Sequence, residues 1–169
     1  MPWRGLYAGV VWVCLMALGG CGFALRVDQP LPFDTIAVTP ERPGGVGGAL
    51  AHYLGNRLRP VAPGVDGVVP DVIVDILQEI RKKVIVSVTT SGQVREYEVH
   101  LNVVFRVRTA QGVELIPQAT IERTASVSYS ETAALAKEAE EAMLYRDMQA
   151  DVVQQMMRRL ALLHMPPKP

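Results

Sequence analysis

Cysteine is nearly missing: the 169 residues contain two, Cys14 and Cys21. So few exclude a disulfide framework, and with Cys14 inside the first apolar run the body of the chain has no thiol nucleophile. An excess of one charge is missing too. Lys and Arg number 17, Asp and Glu 17, and a chain so balanced lacks the basic face that nucleic acid demands. The balance says nothing against a smaller anionic ligand, which needs only two or three placed cations. His52, His100 and His164 fall in separate segments without metal-ligand spacing, so no zinc site and no other metal is expected. The glycines between 44 and 48 lack the Lys-Ser/Thr of a phosphate-binding loop. Neither a nucleophile elbow nor a paired-carboxylate motif is present to support an anchored hydrolase. Also lacking is any apolar run of the about 20 residues that a membrane-crossing helix needs.

A shorter apolar run is present. Arg4 is followed by an uncharged stretch from Leu6 to Leu18 that ends in two glycines and Cys21. A basic start, a short apolar region and small residues at its end mark residues 1–20 as a cleaved signal peptide. Leu18-Gly19-Gly20-Cys21 resembles a bacterial lipobox, which implies cleavage before Cys21, diacylglycerol on its sulfur and an N-acyl chain on its amine. The alternative is an ordinary signal peptide with an incidental cysteine. One acyl chain, at about 0.8 kcal/mol per buried CH₂, holds only marginally, whereas two or three hold almost permanently. Gly22 in place of Asp resembles the enteric sorting signal for the outer rather than the inner membrane. Residues 21–32, with Pro30 and Pro32, read as anchor and stiff tether. Residues 33–164 form a single domain, and the proline-rich tail 165–169 cannot continue a helix.

Within the domain the hydrophobic period changes twice. Phe33 to Thr39 alternates and predicts a first strand, and Pro43 to Gly48 reads as a loop. Leu50, Tyr53, Leu54 and Leu58 are spaced for one face of a helix that ends before Pro60, with Arg57 and Arg59 in its last turn. From Asp71 to Val88 the apolar residues stand mostly at even positions. A turn at Ser91-Gly92-Gln93 leads into Tyr97, Val99, Leu101, Val103, Phe105 and Val107, which face one way against a polar set with Val104 as the exception. After a turn at Thr109 to Gly112, Ala119, Ile121, Ala125, Val127 and Tyr129 continue the alternation. Ser130 and Glu131 suit a helix start. A stripe of Leu135, Ala139, Ala142, Leu144, Met148, Val152, Met156, Leu160 and Leu163 predicts a final helix of about 30 residues, roughly 45 Å long. Met143, Met148, Met156 and Met157 are expected as core filler. The fold class is α+β: two helices on one face of a roughly four-stranded mixed, mostly antiparallel sheet, in the order β-α-β-β-β-α.

Three stretches in this order carry a family resemblance: Cys21-Gly-Phe-Ala-Leu-Arg26, Ser91-Gly-Gln-Val-Arg-Glu-Tyr97, and Ala134-Leu-Ala-Lys-Glu-Ala-Glu140 continuing to Arg158-Arg159-Leu160. No piece is unique, but together they span nearly the whole chain after Cys21, which resembles the LptE family of lipopolysaccharide-assembly lipoproteins of Gram-negative bacteria. The resemblance implies a lipid-anchored, non-enzymatic plug without a cofactor other than its lipids. Its partners would be lipopolysaccharide and a large outer-membrane barrel of the LptD type, with the domain facing the periplasm and the barrel lumen. The alternative is an anchored periplasmic module that binds cell-wall polymer or another envelope protein.

The resemblance also assigns lipopolysaccharide binding to Lys137, the basic residue of Ala-Leu-Ala-Lys. Charge-assisted bonds to phosphate are the strong ones. Its bland alternative is a solvated helix cation paired with Glu141, worth a few tenths of a kcal/mol. A second basic residue, usual just before the turn, is replaced here by Thr90, so either fewer cations grip the ligand or Arg95 across the turn substitutes. Arg123 interrupts the apolar side of its strand. It is expected to point at ligand or partner, or to lay its stem along the sheet edge with its head in water. Arg158 and Arg159 read simply as favourable charges at a helix C-terminus.

Overall fold

In the computed structural model, residues 30–41, 43–61, 68–129 and 134–166 are described. The expected signal peptide, Cys21, the first part of the expected tether, Ser130, Glu131 and the end of the tail lie outside them. The order is β1 (Ile36–Thr39), α1 (Gly45–Leu54) with a 3₁₀ turn at Gly55–Arg57, β2 (Val72–Val88), β3 (Val94–Thr109), β4 (Glu114–Ser128) and α2 (Ala134–Ala161). The sheet runs β1-β2-β3-β4, with β1 parallel to β2 and the other neighbours antiparallel. This is the expected α+β mixed sheet with two helices.

The core lies between the sheet and both helices. Tyr97, Val99, Leu101, Val103, Phe105 and Val107 of β3 are all buried. They meet Val46, Leu50 and Leu54 of α1 and Met148, Val152, Met156 and Leu160 of α2 in one cluster. The intervening β3 residues, from Glu96 to Arg108, form the half-exposed face that neither helix covers. Strict period-two alternation on a central strand produces this division between a dry and a wet face.

Several boundaries differ from the sequence expectation, each for a physical reason. The first strand is shorter, beginning at Ile36. Helix α1 begins inside the glycine-rich segment and not at Ala49. Glycine disfavours a helix, but here a distant group supports the first turn: Glu79 Oε2 accepts from the Val46 amide at 2.7 Å. A Cβ on Gly45, whose φ is +63°, would stand 2.6 Å from that same oxygen. The helical stripe is Val46, Leu50 and Leu54, while Tyr53 is exposed. Arg57 and Arg59 follow the helix.

The largest departure is in β2. Val72, Val74 and Ile76 face the helices, but a bulge at Leu77 breaks the register with β3. An extra residue in a period-two strand exchanges its faces. Beyond it Glu79, Arg81 and Lys83, paired with Val103, Leu101 and Val99, stand on the helix side, while Ile80 and Val84 turn to the helix-free side. In α2 the apolar stripe also splits. It is buried from Met148 onward and Leu144 packs against the core, but Leu135 is exposed; Met143, which lies off the stripe, is exposed too and is not core filler.

Candidate functional site: a polar seam between β2 and α2

Because of the bulge, charged residues of β2 lie beneath the N-terminal half of α2, where an apolar contact would otherwise form. Lys83 Nζ sits 2.7 Å from Glu141 Oε2 and 3.8 Å from the centre of the Tyr97 ring. The Tyr97 hydroxyl donates to Glu141 at 3.2 Å. Hydrogen bonding to Glu141, opposed by burial, raises the Lys83 pKa above its ordinary value. Burial, with Glu141 nearby, pushes the Tyr97 phenol up against the pull of Lys83.

The next turn of α2 repeats the arrangement. Arg81 lies 5.3 Å from the Tyr145 ring centre, and Tyr145 donates to the Lys82 carbonyl at 3.3 Å. Glu79 accepts from Gln149 and from Arg81, both at 3.3 Å, and so ties α1, β2 and α2 together. The seam opens as a groove of about 590 Å³ lined by residues that include Arg81, Lys83, Glu138, Glu141, Tyr145 and Arg146. Cations and carboxylates alternate along it, suiting a zwitterionic or phosphate-bearing surface better than an acyl chain.

Lys137 stands at the same end. Its ammonium donates to Glu140 at 2.8 Å and to Ser128 at 3.2 Å. Its partner is therefore Glu140, since Glu141 is taken by Lys83. The side chain is only 19% exposed, so its stem is covered. Arg95 is exposed, and its carbonyl accepts from the Tyr129 amide at 2.9 Å. Lys137 and Arg95 thus flank the C-terminal end of β4, near the ring pair Tyr97–Tyr129, whose centroids are 6.2 Å apart. Thr90 lies in the turn just before Gly92.

Arg123 does not join them. It lies roughly 17 Å back along β4 from Ser128 at about 3.4 Å per residue. Its guanidinium faces Asp151 of α2 at 3.8 Å, and Gln155 accepts from it in the amide orientation that satisfies both groups. Arg158 is exposed, and Arg159 covers the ring of Phe105 at 5.7 Å. His100 lies between Glu98 (3.3 Å) and Glu122 (4.0 Å) on the helix-free face. Among the described residues no three His, Cys, Asp or Glu side chains are placed to hold a metal ion.

Sequence reasoning missed Arg81, Lys83 and Tyr145, and it assigned Glu141 to Lys137 instead of Lys83. The signal available was Arg81-Lys82-Lys83, three successive cations in the middle of a strand with apolar runs at both ends.

Fold and seam define a class: an α+β domain with one helix-covered sheet face, one polar face, and no described helix long and apolar enough to cross a membrane. Comparison with known proteins narrows it. The family model LptE, lipopolysaccharide-assembly, matches residues 33–160, and the chain belongs to that family. Among solved structures it is similar to the uncharacterized lipoprotein B from Nitrosomonas europaea, at 34% identity over 83% of this chain and 90% of that one, TM-score 0.66. The minor lipoprotein from Acinetobacter baumannii (19% identity, 82% and 100% covered, TM-score 0.60) shares the fold. So does the rare lipoprotein B from Shewanella oneidensis (18%, 75% and 92%, TM-score 0.59). No curated protein matches.

Proposed function

We propose that this protein is the lipid-anchored plug of an outer-membrane lipopolysaccharide translocon. Cys21 carries the diacylglycerol and the N-acyl chain, residues 1–20 are removed, and residues 21–32 tether the domain 33–164 to the outer membrane. The domain enters the lumen of an LptD-type barrel, assists its assembly and binds the glycolipid it delivers to the outer leaflet. No covalent bond is made or broken, no metal or soluble cofactor takes part, and nucleic acid is not a partner. The family match over residues 33–160 carries this reading.

The geometry supports it in two ways. The helix-free sheet face presents Glu98, His100, Asn102, Arg106 and Arg108 in a half-exposed row suited to a wet, polar wall. Beside the C-terminal end of β4, Lys137 and Arg95 stand ready for phosphate, Lys137 by exchanging Glu140 and Ser128 for the ligand. Arg123 contributes only where the ligand displaces Asp151.

Depletion of the protein tests this reading. Surface lipopolysaccharide, measured by labelling intact cells, should fall as the protein disappears. Undiminished surface lipopolysaccharide would contradict the reading and favour a module that binds cell-wall polymer.

A further inference from the structure

Strand β1 ends at Thr39, opposite Asp75. From Gln78 to Val88, β2 therefore has no strand on its outer side among the described residues. A free sheet edge presents unpaired backbone donors and acceptors on which another chain can pair. Register breaks at Leu77 and Val86 frame a regular stretch, residues 78–85, about 27 Å long at about 3.4 Å per residue. Alongside its start, where a longer β1 would have run, lies an open groove of about 680 Å³ with Pro40, Pro43 and Gly45 on one side and Leu77, Glu79 and Arg81 on the other. Ile80 and Ile85 are 44% and 58% exposed on this stretch.

The charge of the edge selects the occupant. Arg81 and Lys83 point to the helix side and Lys82 to the other, so an added strand meets a cation on both of its faces. Glu79 offsets part of the Arg81 charge and Glu141 part of that of Lys83. Lys82 has no carboxylate within ion-pair distance among the described residues. We propose that the β2 edge accepts an extended, acidic segment of another polypeptide by strand addition, with carboxylates beside Arg81, Lys82 and Lys83 and apolar side chains beside Ile80 and Val84. A second copy of this chain fits badly, because antiparallel pairing of two such edges sets the same three cations against one another. The inference concerns how a protein partner is gripped and holds whether or not that partner is a barrel.

The test uses the full-length protein and two synthetic nine-residue peptides, Thr-Thr-Val-Glu-Glu-Glu-Val-Thr-Thr, which in either direction sets carboxylates beside residues 81–83 and valines beside Ile80 and Val84, and the same sequence with Lys replacing Glu. Amide hydrogen exchange is followed residue by residue by NMR. The acidic peptide should slow exchange across residues 78–85 and bind at least about tenfold more tightly than the lysine peptide, since each matched cross-strand charge pair adds a few tenths to one kcal/mol. Lys82→Glu, at an exposed position, should leave the free protein's spectrum intact and weaken the acidic peptide by at least about threefold. Equal binding of both peptides, no binding, or protection elsewhere would overturn the proposal. So would a concentration-dependent dimer that protects residues 78–85 without peptide. None of these readouts involves lipopolysaccharide or a barrel, so failure here is distinct from failure of the translocon reading.

Discussion

Asp75 offers the most quantitative test of the fold. Its side chain is 10% exposed and accepts from Thr39 Oγ1 at 2.6 Å, Arg106 Nε at 2.8 Å and Arg108 Nε at 2.8 Å. Burial alone would push its pKa up. Hydrogen bonds from Arg108, Thr39 and Arg106 outweigh burial and lower the pKa from 3.8 to about 2. At about 1.36 kcal/mol per pKa unit this corresponds to between about 2 and 3 kcal/mol. Arg106 is 41% exposed, and screening reduces the figure to about 2 kcal/mol. Because the folded-state pKa is the lower one, the stabilisation is complete above the unfolded-state pKa and is lost as pH falls towards about 2. Asp75→Asn keeps the shape and removes the charge. It should cost about 2 kcal/mol at pH 7 and lower Tm by roughly 4–8 °C. Urea unfolding of wild type and variant from pH 7 to pH 2, followed by circular dichroism, isolates this carboxylate from the others: the gap between the two stability curves should be widest at pH 7 and mostly closed by pH 2. No gap at pH 7, or a gap that does not change with pH, refutes the reasoning.

Phe105→Ala empties the centre of β3, where the ring is fully buried, and should cost about 3–5 kcal/mol in chemical denaturation; a loss below about 1 kcal/mol would mean the core is elsewhere. Gly45→Ala places a Cβ 2.6 Å from Glu79 Oε2 at a φ of +63°. It should push that carboxylate off the Val46 amide and destabilise by about 1–3 kcal/mol, read as a fall in Tm, and an unchanged Tm would show that the first turn of α1 does not depend on Glu79. Lys137→Asp should weaken lipopolysaccharide binding in vitro while leaving barrel association intact and altering stability by about 1 kcal/mol or less; unchanged binding at moderate salt would return Lys137 to an ordinary helix cation.

The β3 reading and the element order were legible in the sequence because one central strand alternates with Val104 as the exception and both turns around it carry a glycine. Gly92 and Gly112 indeed take positive φ, +84° and +88°, the region glycine enters without steric penalty. The start of α1 was not legible. Its support comes from Glu79, 33 residues away from Val46, and no local pattern encodes a tie across the sheet. Nor was the bulge at Leu77, since a strand with Val72, Val74, Ile76, Ile80 and Val84 at even positions looks continuous until one residue is displaced. That displacement moved Arg81 and Lys83 beneath α2 and sent Glu141 to Lys83 instead of Lys137. Met143 is exposed for a local reason: at 3.6 residues per turn it stands well off the face of Met148, Val152 and Met156, whereas its neighbour Leu144 packs against the core.

The central claim is that this domain occupies another protein in the outer membrane, and affinity purification of the tagged full-length protein from detergent-solubilised envelopes tests it most directly. Mass spectrometry should identify a β-barrel of far larger mass in the eluate, together with a diacylglyceryl group on Cys21. Peptidoglycan fragments with no barrel, or an unmodified Cys21 behind an uncleaved leader, would contradict it.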